Sequence, residues 1–274
     1  MPLLALLHAC SPSPAPADDA EVPLPPAVLS PEEAVAAVIT GTQHGLPDPV
    51  ELFTTYLGLL ALGDEGCPGP GEQLIDTVVP LTGCTSASGV TYAGVSIVER
   101  EEHALPGQSG KSVLLGGDFG IVDLDGHTFA QGGHVRWAAR SRYGAATFET
   151  EAFGTFAYGG GSPWLAAGVS AVLTMGLEAP RDGAPVLTLS GGLGTEGVDL
   201  WFEDLRFDPE ACAAGPAGGA VEVRDPSGAW WTLDFGDRCD GCGALTYPGT
   251  DAGDACVDLL PLAEATTAML PVAP

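Results

Sequence analysis

Cys67, Cys84, Cys212, Cys239, Cys242 and Cys256 are the residues of this chain best equipped to do chemistry. In an oxidising compartment six thiols form bridges; in a reducing one they hold metal or do redox work. Proximity favours a Cys67–Cys84 bridge, and closing such a loop stabilises a fold by about 3 kcal/mol. The four later cysteines then pair among themselves, and Cys212–Cys239 with Cys242–Cys256 is the favoured pairing. Zinc is the rival. Cys239-Asp240-Gly241-Cys242 has knuckle spacing, and Cys212 and Cys256 would complete a four-thiolate site. A second knuckle is missing, and no βαβ pattern surrounds the pair as a thioredoxin-like motif requires.

Carboxylates next to glycine form the second set. Asp234, Asp237 and Asp240 cluster beside the cysteine pair, and Asp118, Asp123 and Asp125 form another group. Calcium wants several oxygen ligands from a tight loop, but neither segment completes an EF-hand pattern, and Asp-Gly is common turn chemistry. The expectation is no cofactor, with calcium the possible exception. His103, His127 and His134 could serve acid–base chemistry beside a carboxylate. Glycoside hydrolysis would need a carboxylate pair, drawn from Asp199, Glu203 and Asp204 or from Glu149 and Glu151. No nucleophile elbow and no His-Glu-x-x-His helix is present, so the enzyme question leans towards no. Gly107-Gln108-Ser109-Gly110-Lys111-Ser112 looks like the end of a phosphate-binding loop. Leu105 stands where the first glycine is required, and the following residues are strand-like. Trp201, Trp230 and Trp231 offer a ligand platform. Adjacent Trp230 and Trp231 must face opposite sides of a strand, so one of them is exposed or covered by a loop.

The elements that position these residues are of two kinds. Ser30-Pro31-Glu32-Glu33 is a capping box with proline at the first helical position, and Asp48-Pro49-Val50-Glu51 repeats the device. They predict one helix to about Thr40 and a second from Pro49 to about Leu62, with Leu52, Phe53, Tyr56, Leu57 and Leu60 as its apolar stripe. From Cys67 the period changes to two. Val135, Trp137 and Ala139 share one face while His134, Arg136 and Arg140 take the other. Val169, Ala171, Leu173, Met175 and Leu177 alternate with Ser170 and Thr174, and Phe148, Ala152 and Phe156 share a parity. Such strands suit an antiparallel sheet with one wet face. Asp225-Pro226-Ser227-Gly228 between Val221–Arg224 and Trp230–Phe235 marks the clearest hairpin. The expected fold is mainly β: a short helical pair followed by an antiparallel meander that forms a sandwich or an open half-barrel.

Composition bounds the partners. Thirty-six acidic residues against nine basic ones give a net charge of −27, and Lys111 is the only lysine. This surface repels nucleic acid, so no nucleic-acid partner is expected. Hydrophobic residues make up 45% of the chain, as in a packed globular protein rather than a disordered one.

Leu7-His8-Ala9-Cys10, after an apolar run, resembles the bacterial lipobox. The resemblance covers ten residues and implies a signal segment over 1–10, lipidation of Cys10, export, and anchoring at the bacterial cell envelope. Ser11 after the cysteine fits outer-membrane delivery under the sorting rule of enteric bacteria. The Pro-rich stretch 11–29 reads as a tether, since such segments are extended and semi-rigid. A helical pair over 30–66, a β domain over 67–262 and a tail over 263–274 complete the division. The expected function is that of a non-enzymatic, disulfide-stabilised acidic envelope lipoprotein. Its role is structural or interactive, with the membrane, a protein or a glycan as partner. Carbohydrate binding or cleavage, and calcium- or zinc-dependent binding, are the alternatives.

Overall fold

The computed structural model describes residues 25–43, 46–68, 77–195 and 197–268. Cys10, the signal segment and residues 11–24 of the tether lie outside the described residues.

Both helices begin where their caps place them. In α1 (Pro31–Gln43) the Ser30 N–H donates to Glu33 Oε2 at 2.8 Å, and the Glu33 N–H donates to Ser30 Oγ at 3.3 Å. In α2 (Pro49–Leu60) Asp48 Oδ1 accepts from Val50 N at 2.8 Å and Glu51 N at 3.0 Å. These bonds satisfy N–H groups that a helix start leaves orphaned. Helix α2 stops two residues short of the expected Leu62 and buries Leu59 besides Leu52, Tyr56 and Leu60, while Phe53 and Leu57 are half-buried against the core.

The strands that follow among the described residues form one antiparallel sheet of twelve, in sequence order. Its first half holds β1 (Thr77–Thr85), β2 (Thr91–Leu105), β3 (Gln108–Val122), β4 (Thr128–Arg142), β5 (Ala145–Tyr158) and β6 (Val169–Ala179). Its second half holds β7 (Val186–Thr195), β8 (Val198–Phe207), β9 (Gly218–Arg224), β10 (Trp230–Asp234), β11 (Cys242–Tyr247) and β12 (Thr250–Cys256). A single turn, α3 (Pro163–Ala167), joins β5 to β6. Of the two closures expected, the sandwich is not the one found: the strands form one open sheet, and β1 and β12 are its edges. The end of the chain departs from the expected tail. Leu260–Ala268 forms α4, which buries Leu262 and Thr266.

One hydrophobic cluster runs through the molecule. It joins Val38 of α1 and Tyr56 of α2 to Val98, Leu115, Phe156, Leu173, Leu200, Leu233 and Leu245, from strands at both ends of the sheet. The helices therefore pack on the inner face rather than standing free. Tyr92 of β2 donates its hydroxyl to the Leu59 carbonyl at 2.7 Å, and α1 lies against β8 and β9. A wide sheet wraps round two helices only if it bends, and a cross-strand row of glycines supplies the bend. Gly117 on β3 lies opposite Gly133 on β4, which lies opposite Gly154 on β5. Their φ angles are 130°, 126° and 122°. A Cβ on Gly117, Gly133 or Gly154 would collide with the carbonyl of Val95, Phe153 or Gly132. Only glycine permits both the dihedral and the approach.

Candidate functional site

All three expected disulfides are present: Cys67–Cys84, Cys212–Cys239 and Cys242–Cys256. The four-thiolate zinc site is thereby corrected, because each sulfur already has a covalent partner. Cys242 and Cys256 sit directly opposite each other on β11 and β12, where cross-strand Cβ atoms are closest.

The calcium proposal at Asp234, Asp237 and Asp240 does not assemble either. Asp234 Oδ1 accepts from Gly236 N at 3.0 Å, and Asp240 Oδ1 accepts from Cys242 N at 2.9 Å. Asp240 also faces Arg238 at 3.7 Å. Asp234 and Asp240 shape their own turns, and the ligand-like trio among the described residues lies elsewhere, at Asp123, Asp125 and His127. There Asp123 Oδ1 accepts from His127 N at 2.8 Å and Asp125 N at 2.9 Å, and Tyr158 donates to Asp123 Oδ2 at 2.7 Å. Burial and the bond to Asp123 push the Tyr158 hydroxyl up to about 12. Burial pulls the Asp123 carboxyl upward, but its donors prevail and hold it below the usual range. Asp123 is thus the organiser of the β3–β4 turn. Gly107 is in the β2–β3 turn and Gln108–Ser112 already belong to β3, so no helix follows to hold a phosphate.

The three tryptophans part company. Trp231 is buried at 4% exposure, with its indole N–H donated to Asp225 Oδ2 at 3.3 Å and its ring against Tyr247 at 5.0 Å. Its place in the ligand platform is corrected: it faces the core because its neighbour takes the other side. Trp230 is half-buried on the outer side, and Trp201 is exposed.

Strand register builds a site around Trp201. Reading across the outer face, His134 on β4 lies opposite Phe153 on β5, Phe153 opposite Val172 on β6, Val172 opposite Gly192 on β7, and Gly192 opposite Trp201 on β8. Phe153 is 51% exposed, Val172 53% and Trp201 41%. Their strands bury the alternate residues, so these three occupy positions where polar side chains are the rule. The His134 ring stacks on Phe153 at 5.6 Å with planes 22° apart. Trp201 leans over its glycine neighbour: a Cβ on Gly192 would be 3.0 Å from Cε3 and 3.2 Å from Cζ3. The benzene edge of the indole therefore covers Gly192 while Trp201 as a whole stays exposed. The glycine row runs alongside, one residue away, since Gly133 precedes His134 and Gly154 follows Phe153.

Polar rows flank this apolar row on both sides. One holds Asp118, Thr155, Ser170, Asp199 and Arg224, with Asp199 and Arg224 paired at 3.5 Å. The other holds Arg136, Glu151, Thr174 and Ser190, followed by Asp204 at the β8 bulge. Glu151 faces His134 at 3.5 Å, and Ser190 donates to Asp204 Oδ1 at 2.8 Å. Between the rows lies a shallow hollow of about 340 Å³, walled by Phe153, Val172, Trp201 and Trp230 and floored by Gly192 and Gly194.

The catalytic candidates fall along this same face rather than across a cleft. Glu149 and Glu151 are neighbours on one strand, held by Arg140 at 3.7 Å and by His134 respectively. Asp199 and Glu203 share the outer side of β8. His103 lies near the tip of β2, away from either group. Phe153 and Val172 escaped the sequence reading, although an aromatic on the polar parity of β5 and a valine on that of β6 were signals of an exposed apolar row. Comparison with protein-family models, with curated proteins and with solved structures finds no match to this chain.

Proposed function

We infer that this protein is a non-catalytic, acidic binding module of a bacterial cell envelope, exported and held at the outer membrane through a lipid on Cys10. The observation that carries this reading is the pairing of all six cysteines beyond the lipobox-like segment. Bridges in this number persist in oxidising compartments and not in a reducing cytoplasm. The lipobox-like Leu7-His8-Ala9-Cys10 and the Pro-rich segment behind it fit display from a membrane surface. The net charge of −27 suits a soluble, outward-facing domain. No helix among the described residues is long and apolar enough to cross a membrane; in this reading the attachment is supplied by Cys10 of the lipobox-like segment.

Intact mass spectrometry on the chain made with its native export signal tests it. The expected spectrum carries acyl mass on Cys10 and takes up alkylating reagent only after reduction. An unlipidated chain with free thiols before reduction overturns both localisation and function.

A further inference from the structure

The geometry points to the outer-face row of Phe153, Val172, Gly192 and Trp201 as a binding site for a straight, neutral, equatorially linked glycan. This rests on the reading of the protein as a non-catalytic binding module and names its ligand class. Three observations on the molecule itself carry the assignment.

The first is the pair of exposed aromatic side chains on the outer face. Trp201 leans over Gly192 and Phe153 stacks against His134 on the neighbouring strand, yet Phe153 stays 51% exposed and Trp201 41%. Sugar rings in an extended, equatorially linked chain show flat C–H faces, and these pack on aromatic faces as apolar surface. The second is length. Phe153 and Trp201 stand three strands apart, which at strand spacing is roughly 14 Å, the span of a few sugar rings. Between them lie Val172, which is exposed, and Gly192, which is bordered by the Trp201 indole.

The third is the pair of polar rows. A glycan stacked on the apolar row would present its hydroxyls sideways to Ser170, Thr155 and Asp199 on one flank and to Glu151, Thr174 and Ser190 on the other. Carboxylates and hydroxyls accept and donate to sugar hydroxyls, whereas an apolar protein surface would leave them unpaired at a buried interface. The charge disfavours anionic occupants. Acidic groups border the row on both sides and the whole chain carries −27, which opposes nucleic acid, acidic polysaccharide and anionic lipid. The hollow is shallow and lies on the face of an open sheet, which suits a polymer that continues past both sides.

Affinity electrophoresis and titration calorimetry with soluble cello-oligosaccharides and chito-oligosaccharides test this on the purified, disulfide-bonded protein. At least one series is expected to bind. Trp201→Ala and Phe153→Ala should each weaken that binding by about tenfold or more, and Trp201→Phe should restore part of it. Gly192→Val leaves an extended backbone intact but pushes the indole aside, and should weaken binding by a similar factor. Each variant is checked for its melting temperature and complete disulfides, so a lost fold is not mistaken for a lost site. Failure of the wild-type protein to bind either series overturns the assignment. Binding that survives both alanine substitutions also overturns it, and would reduce Trp201 to a cover over Gly192. The thiol and acyl measurements score the envelope reading separately: a chain with free thiols that still binds through Trp201 would lose the first proposal and keep this one.

Discussion

The two halves of the sheet solve the same problem by different means. Strands β2 to β5 are 14 or 15 residues long, and backbone geometry holds them in place. Their long ladders and the glycine row let them wrap the helices with no bridge between any two of them. Strands β9 to β12 have only five to seven residues each. Cys212–Cys239 and Cys242–Cys256 both fall in this stretch, and Asp225 ties its central hairpin to the N-terminal segment. Short strands bury little apolar surface per residue, so covalent and charged fastenings stand in for core there. The outer-face row spans the junction, with its aromatic ends on β5 and β8.

Asp225 is the densest of those fastenings. It is 1% exposed and accepts from Leu29 N at 2.9 Å, Val28 N at 3.1 Å and Ser227 N at 2.8 Å, as well as from Trp231. Tyr247 adds a bond to the Pro25 carbonyl at 3.0 Å. The last residues of the expected tether, 25–29, are therefore docked on the β9–β10 hairpin rather than free. Burial of the Asp225 carboxyl would raise its pKa, but the converging donors win and hold it far below the usual carboxylate range.

The contrast between halves breaks most sharply at Gly154. Gly154→Ala forces a side chain onto a φ of 122° and into the Gly132 carbonyl. The expected loss is about 4 kcal/mol in urea unfolding; a loss under about 1 kcal/mol would show that the bend does not depend on glycine. In the second half, replacing Cys242 and Cys256 together by serine removes a bridge across 14 residues. That should cost about 3 kcal/mol by the same measurement. Hydrogen exchange should quicken in β11 and β12 and stay unchanged in β3 to β5. Uniform exchange across the sheet would remove the distinction between halves.

Asp225→Asn should cost about 2 kcal/mol and speed exchange at the Val28 and Leu29 amides. It also carries a pH signature. Because the folded pKa is depressed, the stability Asp225 supplies is complete above the ordinary aspartate value of about 3.9. It is lost as pH falls from there through the folded value. The wild-type protein and the Asp225→Asn variant should therefore converge in stability as acid is added, and a constant gap would refute the role given to this carboxylate. The smallest effect belongs to the outer face. Trp201→Ala should change stability by under about 1 kcal/mol while abolishing most glycan retention, which separates a binding role from a structural one.

Much of the fold was legible because its signals are local. Capping boxes at Ser30 and Asp48, the Asp225–Gly228 turn and the two-residue alternation of β4 and β6 each depend on residues a few positions apart. The site was legible only in part. Trp201 stood out by type, but its partners Phe153, Val172 and Gly192 come from three other strands, and no spacing along the chain announces that they meet. The same limit hid α4, whose apolar pattern is weak and whose burial of Leu262 depends on the sheet above it.

By itself the sequence determined the class of the fold, the start of each main helix, the acidic surface and the set of cysteines available for pairing. These follow from short-range sterics, hydrogen bonding and charge. Tertiary structure alone decided that one sheet curls open instead of splitting into two, that Trp231 turns inward while Trp201 faces out, and that an aromatic row forms between two polar ones. Those outcomes depend on strand register, and register is fixed by the whole sheet burying its apolar face at once.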